Sequence, residues 1–190
     1  MSDEKYVILD FETTGANITD NPDKTLGYFK GKKWYDPIEL ALIDLSSKKE
    51  YHWFIKPHKD YLNHKWATDI HGFEPNQFMD RDDLHDFKDI YGEIARVLTG
   101  KTAVAHNAFR FDKEVMSQTC EKYNLLLPLC KWRDTKQEIK KRYPDKSASQ
   151  EDVAKWMFEE EYKAHSALED VRMLARIFEK LNETPEWIFV

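Results

Sequence analysis

Residues 5–15, KYVILDFETTG, begin as an almost unbroken apolar run and end in acids, threonines and a glycine. Tyr6, Val7, Ile8 and Leu9 have the aromatic and β-branched character of a strand buried on both faces. Side chains alternate along a strand, so Asp10 and Glu12 share a face at its carboxyl end. Two carboxylates this close raise each other's pKa, and burying them is costly without a compensating charge. No Lys or Arg lies within four residues of either acid. A hard divalent cation is the simplest compensation, since Mg²⁺ prefers carboxylate oxygens and water. A solvated strand end that happens to carry two acids is the competing reading, and the pair alone does not separate the two.

Outward from this strand, residues 38–45 (IELALIDL) and 50–56 (EYHWFIK) read as two more strands joined by the turn-like SSKK. The three form an antiparallel meander. Residues 17–37 show no clear period and read as a long loop, a feature often tied to function. Residues 57–85 are irregular. Phe87, Ile90, Tyr91, Ile94, Val97 and Leu98 then recur on one helical face, which predicts a helix over 84–98 ended by Gly100. A short strand (102–105), a helix (109–123) and a strand (130–134) follow, then helices over 135–142, 150–158 and 167–181. Ser149 and Asp152 read as an N-cap pair. Three antiparallel strands followed by helix–strand–helix–strand predict an α/β fold. Its mixed five-stranded sheet is flanked by helices, with a right-handed crossover.

With 41% hydrophobic and 34% charged residues the chain is of globular composition, which excludes a disordered protein. Its 190 residues predict one domain over 1–190, without internal repeats. No apolar run approaches the ~20 residues of a bilayer span. The acidic start, MSDEKYVILDF, lacks a basic n-region, so no signal peptide and a cytoplasmic location are expected. Cys120 and Cys130 cannot build a disulfide framework or zinc cage and are expected as buried small hydrophobes. The 35 acids against 29 bases, a formal charge of −6, exclude a protein that grips long nucleic acid by neutralising its phosphates. A nucleic-acid substrate would be held over a short stretch by metal ions and a local basic rim, or delivered by a partner.

Two further clusters carry acids. In HSALED (165–170), Ser166 and Glu169 have capping-box spacing, which places His165 before the N-cap and Asp170 in the first turn, where the two meet. Such a His–Asp pair is ordinarily a structural contact. In AVAHNAFRFD (103–112), a short strand runs through His106 and Asn107 to Asp112. Alone, Asp112 reads as an acid complementing a helix dipole. Each cluster lies where a strand ends or a helix begins, at one edge of the expected sheet. Four carboxylates and a histidine are the set that two-metal phosphoryl chemistry requires.

VILDFETTG (7–15), AHNAFRFD (105–112) and HSALED (165–170) resemble the three motifs of the DEDDh, or DnaQ-like, 3′–5′ exonucleases. This family includes polymerase proofreading subunits, the TREX enzymes, ribonuclease T and oligoribonuclease. DPIELALID (36–44), HWFIKP (52–57) and IHG (70–72) resemble further family segments, so the likeness spans almost the whole chain. The gap between His106–Asn107 and Asp112 is one residue longer than in many bacterial proofreading subunits and matches the TREX branch. The loop between Glu12 and Glu39 is longer than in compact members. The resemblance implies an RNase H-like fold and hydrolysis of the 3′-terminal phosphodiester to nucleoside 5′-monophosphates. It implies two Mg²⁺ or Mn²⁺ ions held by Asp10, Glu12, Asp112 and Asp170, with His165 as general base. Thr13, Thr14, Ile70 and His71 are implied contacts to the terminal nucleotide, and His106, Asn107 and Phe109 to the substrate beyond it. The implied partner is a nucleic-acid 3′ end, DNA before RNA, with no membrane; the resemblance leaves a polymerase or another replication or repair partner open. An exoribonuclease of short RNA and a non-catalytic nucleic-acid-binding subunit are the competing functions. The basic residues Lys136, Lys140, Lys141 and Arg142 read as a solvated helix face that could also touch phosphate.

Overall fold

The computed structural model describes residues 4–15, 28–29, 32–33, 36–57, 68–69, 71–162 and 164–183. Alternation in the first strand, β1 (Tyr6–Thr13), sorts its side chains onto the two faces of one sheet. Val7, Leu9 and Phe11 enter one buried cluster and Ile8 the other. Asp10 and Glu12 continue the row of Ile8. A small hairpin, β2 (Tyr28–Phe29) and β3 (Lys32–Lys33), lies inside the stretch read as a loop. With two residues per strand it is too short for an alternation to register in the sequence. Strands β4 (Pro37–Asp44) and β5 (Lys49–Ile55) complete the expected antiparallel meander.

After a short helix, α1 (Pro75–Met79), strand β6 (Leu84–His85) pairs parallel with β5. The sheet therefore has six strands rather than five, because edge pairing with Phe54 and Ile55 captures two residues whose periodicity suited a helix. Helix α2 (Phe87–Leu98) starts behind Asp86 and is followed by Gly100 at φ +77°, the left-handed backbone that glycine tolerates best. Strand β7 (Thr102–Ala105), helix α3 (Asp112–Tyr123), strand β8 (Lys131–Asp134) and helices α4 (Thr135–Arg142), α5 (Gln150–Phe158) and α6 (Ala167–Glu183) follow. Ser149 caps α5 as expected, its hydroxyl oxygen accepting from the Asp152 N–H. Helix α3 begins three residues later than the periodicity suggests, because Arg110 and Phe111 donate to the Asn107 carbonyl and close a turn first.

The strand order β6-β5-β4-β1-β7-β8 is the mixed sheet of an RNase H-like fold. Helices α2 and α3 cover the face carrying Val7, Leu9 and Phe11. Helix α6 covers the Ile8 face with Ala167, Val171, Leu174 and Phe178, and α4 and α5 pack behind it on Met173, Ile177 and Leu181. Each fully buried aliphatic contributes roughly 1.5–3 kcal/mol. The β1–β7 ladder ends at Ile8–Val104, whereas β1–β4 continues to Thr13 through a register shift after Glu12. Past Ile8 the parallel strands diverge, and a crevice opens at their carboxyl ends, where open α/β sheets place their sites. Cys120 is buried, Cys130 only half-buried, and both are free thiols. No helix of the described residues is long and apolar enough to cross a membrane.

Candidate active site

The first turn of α6 lies over the row that Ile8 begins on β1. Asp10, Glu12 and Asp170 each offer a carboxylate oxygen within 4.8 Å of the other two. Asp112, the first residue of α3, reaches the same strand end from the opposite helix layer. Its Oδ1 accepts the Phe11 backbone N–H at 3.2 Å, the peptide between the two strand acids. Its Oδ2 is buried and has no hydrogen-bond partner among the described residues. Among the described residues no Lys or Arg pairs with any of the four. An orphaned buried carboxylate oxygen beside three convergent acids suits hard dications, whose ligands are oxygens.

The surroundings push all four acids upward. Asp10 lies well above the usual carboxylate range through desolvation and then through Asp112 and Glu12, and Glu12 through desolvation and Asp170. Burial drives Asp112 up to about 8 against the pull of its own and the Phe11 N–H groups. Asp170 is raised by desolvation, moderated by the His165 N–H and Tyr162. A group with a raised folded pKa stabilises the fold while protonated and loses that contribution as pH rises through the folded value. His71 and His106, lowered to about 4 by burial, act with the opposite sign, but only below their unfolded pKa of about 6.5. Between pH 6.5 and 8, above that range, the raised carboxylates give a slope of falling stability. The metal-free protein is therefore expected to lose thermal stability over that interval, and Mg²⁺ or Mn²⁺ to flatten the loss. Calorimetry in EDTA and in metal checks this; a melting temperature that rises with pH in EDTA would contradict the convergence.

Asp170 is held from three sides. Tyr162 donates its hydroxyl to Oδ1 at 3.0 Å, the Gln150 amide donates to Oδ1 at 3.3 Å, and the His165 backbone N–H donates to Oδ2 at 2.7 Å. The contact of His165 with Asp170 thus runs through the main chain. The expected capping box is absent: the Ser166 hydroxyl donates to Glu39 at 3.5 Å, and Glu169 binds Arg172. His165 sits at φ +78°, and its exposed side chain lines the cleft without a hydrogen bond among the described residues.

The cleft encloses about 890 Å³ above the acids, bounded by His106, Asn107, Phe109 and Arg110 on one side and by Gln150, Tyr162 and His165 on another. Phe109 is 42% exposed, with the Lys113 ammonium 5.7 Å from its ring centroid. Asn107 has φ +74°, and its N–H and that of Phe109 donate to the buried Asp134 carboxylate. His106 has little freedom to contact a ligand: Nδ1 pairs with the Thr135 hydroxyl and Nε2 with the Ala148 carbonyl. The Thr13 hydroxyl is held by Gly15, while Thr14 exchanges bonds with Asp36 through its N–H and hydroxyl. His71 is buried and accepts from Phe73 at Nδ1, with its ring beside the Thr13 main chain; Ile70 lies outside the described residues. Of the basic stripe, Lys136 lines the cleft, whereas Arg142 turns inward to the Leu181 carbonyl.

Three neighbours of the acids escaped sequence reasoning. Glu39 is 1% exposed, sits directly across from Glu12 in the ladder, and pairs with His52 at 2.7 Å. The charge of Glu39 inside the otherwise apolar run Ile38–Ile43 was the available signal. Tyr162 and Gln150 carried none, since both fall among exposed polar residues of the sequence.

Over residues 7–178 the chain matches the RNase_T family model, described as exonuclease. No curated protein sequence matches it significantly. Similar solved structures include E. coli exonuclease I with a dT13 oligonucleotide, at 17% identity, TM-score 0.72, and coverage of 99% of this chain and 42% of that one. Exonuclease X in complex with 5′-overhanging duplex DNA shares 20% identity, with TM-score 0.66 and coverage of 96% and 93%. The nuclease domain of 3′hExo, a DEDDh family member bound to rAMP, shares 14%, with TM-score 0.69 and coverage of 95% and 92%. At these identities the likeness is one of fold. The chain spans about two fifths of the exonuclease I chains, 40% and 42%.

Proposed function

The chain belongs to the RNase_T exonuclease family, and from that membership we propose that it is a metal-dependent 3′–5′ exonuclease acting on nucleic-acid 3′ ends, DNA before RNA. The observation that carries this reading is the convergence of the Asp10, Glu12 and Asp170 oxygens beside the orphaned oxygen of Asp112. Asp10, Glu12, Asp112 and Asp170 would hold two dications, Mg²⁺ or Mn²⁺. When bound, such ions make water more acidic and offset charge on the leaving oxygen. His165, exposed beside Asp170, takes the proton of the attacking water. The water oxygen bonds to phosphorus as the bond to the 3′-oxygen breaks; the shortened strand keeps that oxygen, which takes a proton from solvent, and a nucleoside 5′-monophosphate is released. The raised pKa values of the acids oppose full ionisation in the empty site, so loading is tied to proton release.

Phe109 offers an exposed ring for stacking against a base, and Arg110 and Lys136 supply a local basic rim to an otherwise acidic molecule. The charge of −6 favours short substrates, which keeps short RNA as the second reading. Oligonucleotides of DNA and RNA, labelled at the 5′ end and graded in length, decide between them. The expected result is a ladder shortened from the 3′ end, released 5′-monophosphates, faster DNA than RNA turnover, and arrest by EDTA. Internal cuts, or intact oligomers with every metal, would overturn the proposal.

A further inference from the structure

We propose that Tyr162 and Gln150 are positioning residues that aim the Asp170 carboxylate at the metal site and set how tightly the cleft holds a dication. The inference rests on the metal-site reading above and deepens it. Neither residue belongs to the acid motifs. Gln150 is the first residue of α5, and Tyr162 lies in the connection from α5 to α6. Both line the cleft with Asp10, Glu12 and His165.

A carboxylate offers about four lone-pair directions. Three donors use those of Asp170: the Tyr162 hydroxyl and the Gln150 amide on Oδ1, and the His165 N–H on Oδ2. The direction left over is thereby restricted, and the donor atoms of Asp10 and Glu12 lie within 4.8 Å. Gln150 also donates to the Asp170 carbonyl at 2.9 Å, so it fixes main chain and side chain of the same residue. Asp10 and Glu12 have no comparable donors among the described residues. Asp170 is therefore the member of the triad oriented before any ion arrives, and Tyr162 and Gln150 do the orienting. Hydrogen-bond partners of metal-ligating carboxylates typically change affinity by about 10–100-fold when removed.

The test is Mn²⁺ binding to the full chain by titration calorimetry, with melting temperatures recorded without metal. Tyr162→Phe and Gln150→Ala are each expected to weaken Mn²⁺ binding about tenfold, within the range just cited. The Mn²⁺ concentration for half-maximal turnover should rise by the same factor while KM for the oligonucleotide stays put. Ser149→Ala is the control. It removes the cap of the same helix, whose hydroxyl serves Asp152 and not Asp170, so it should lower the melting temperature and leave Mn²⁺ affinity unchanged. Affinity within twofold of the parent in both Tyr162→Phe and Gln150→Ala would overturn the inference. So would an equal loss in Ser149→Ala, which would show general loosening. A parent that binds no Mn²⁺ would overturn the metal-site reading itself; a binding parent with unaffected variants would sink only the positioning role.

Discussion

Asp10→Asn is expected to cut metal-dependent mononucleotide release by at least about 10³-fold, and to raise the melting temperature of the metal-free protein. The rate loss follows from the value of a bound dication, several kcal/mol of transition-state stabilisation, at about 1.36 kcal/mol per tenfold in rate. Asn keeps the shape of Asp10 and one acceptor oxygen, so the row from Ile8 to Glu12 and the Phe11–Asp112 bond should survive. The stability gain follows from the neighbourhood. Asp10 faces Asp112, Glu12, Asp170 and Glu39, all of which push its pKa up. Asn is neutral without taking up a proton, so it removes the cost of either ionising or protonating Asp10 among these neighbours at neutral pH. For a chain of this length each kcal/mol relieved is worth roughly 2–4 °C. Added Mg²⁺ or Mn²⁺ should stabilise the parent strongly and the variant little, because a ligand stabilises only in proportion to its affinity for the folded state. Two measurements check this: thermal melts of both proteins with and without metal, and turnover on a 3′-labelled oligomer. Turnover within a few-fold of the parent would remove Asp10 from the site, and a variant that melts lower without metal would show that the four acids do not repel one another as placed.

The sheet and its helices were legible because their signals are local and repeated. PIELALID is apolar but for Glu39 and Asp44, TAVA is apolar but for Thr102, and the buried face of α2 repeats from Phe87 to Leu98 at helical spacing. The acids were legible for the opposite reason: Asp10 and Glu12 break an apolar run at the point where a strand should end. What the residues do to one another was less visible. His165 was placed beside Asp170 by a capping pattern that does not form. The pair meets instead through the His165 backbone N–H. His106 stands in a motif with Asn107, yet Thr135 and Ala148, from later segments, occupy its ring. β6 exists through pairing with β5 and leaves no pattern of its own in two residues. Local periodicity specified the elements; contacts across long stretches of chain decided which polar groups stay free to do chemistry.

His165→Ala is expected to lower kcat by roughly 10²–10⁴, the usual contribution of a positioned general base, with little change in KM or in Mn²⁺ affinity. The split follows from the geometry. The backbone N–H of residue 165, not the ring, holds Asp170, and alanine retains it. The ring lines the cleft, is exposed and makes no hydrogen bond among the described residues, so its loss leaves the four acids as they are. A structural histidine would behave differently, with Mn²⁺ affinity and melting temperature falling along with the rate. Backbone strain offers a second discriminator. At φ +78° a side chain is disfavoured in either histidine or alanine, and glycine is not. His165→Gly should therefore melt no lower than His165→Ala while remaining equally slow, which separates the loss of a base from the loss of a fold. Because the vacated position opens to the cleft, millimolar free imidazole should restore part of the rate in both variants and none in Asp10→Asn. A His165→Ala enzyme within a few-fold of the parent, or one that imidazole cannot help and whose Mn²⁺ affinity has collapsed, would assign His165 to the scaffold instead.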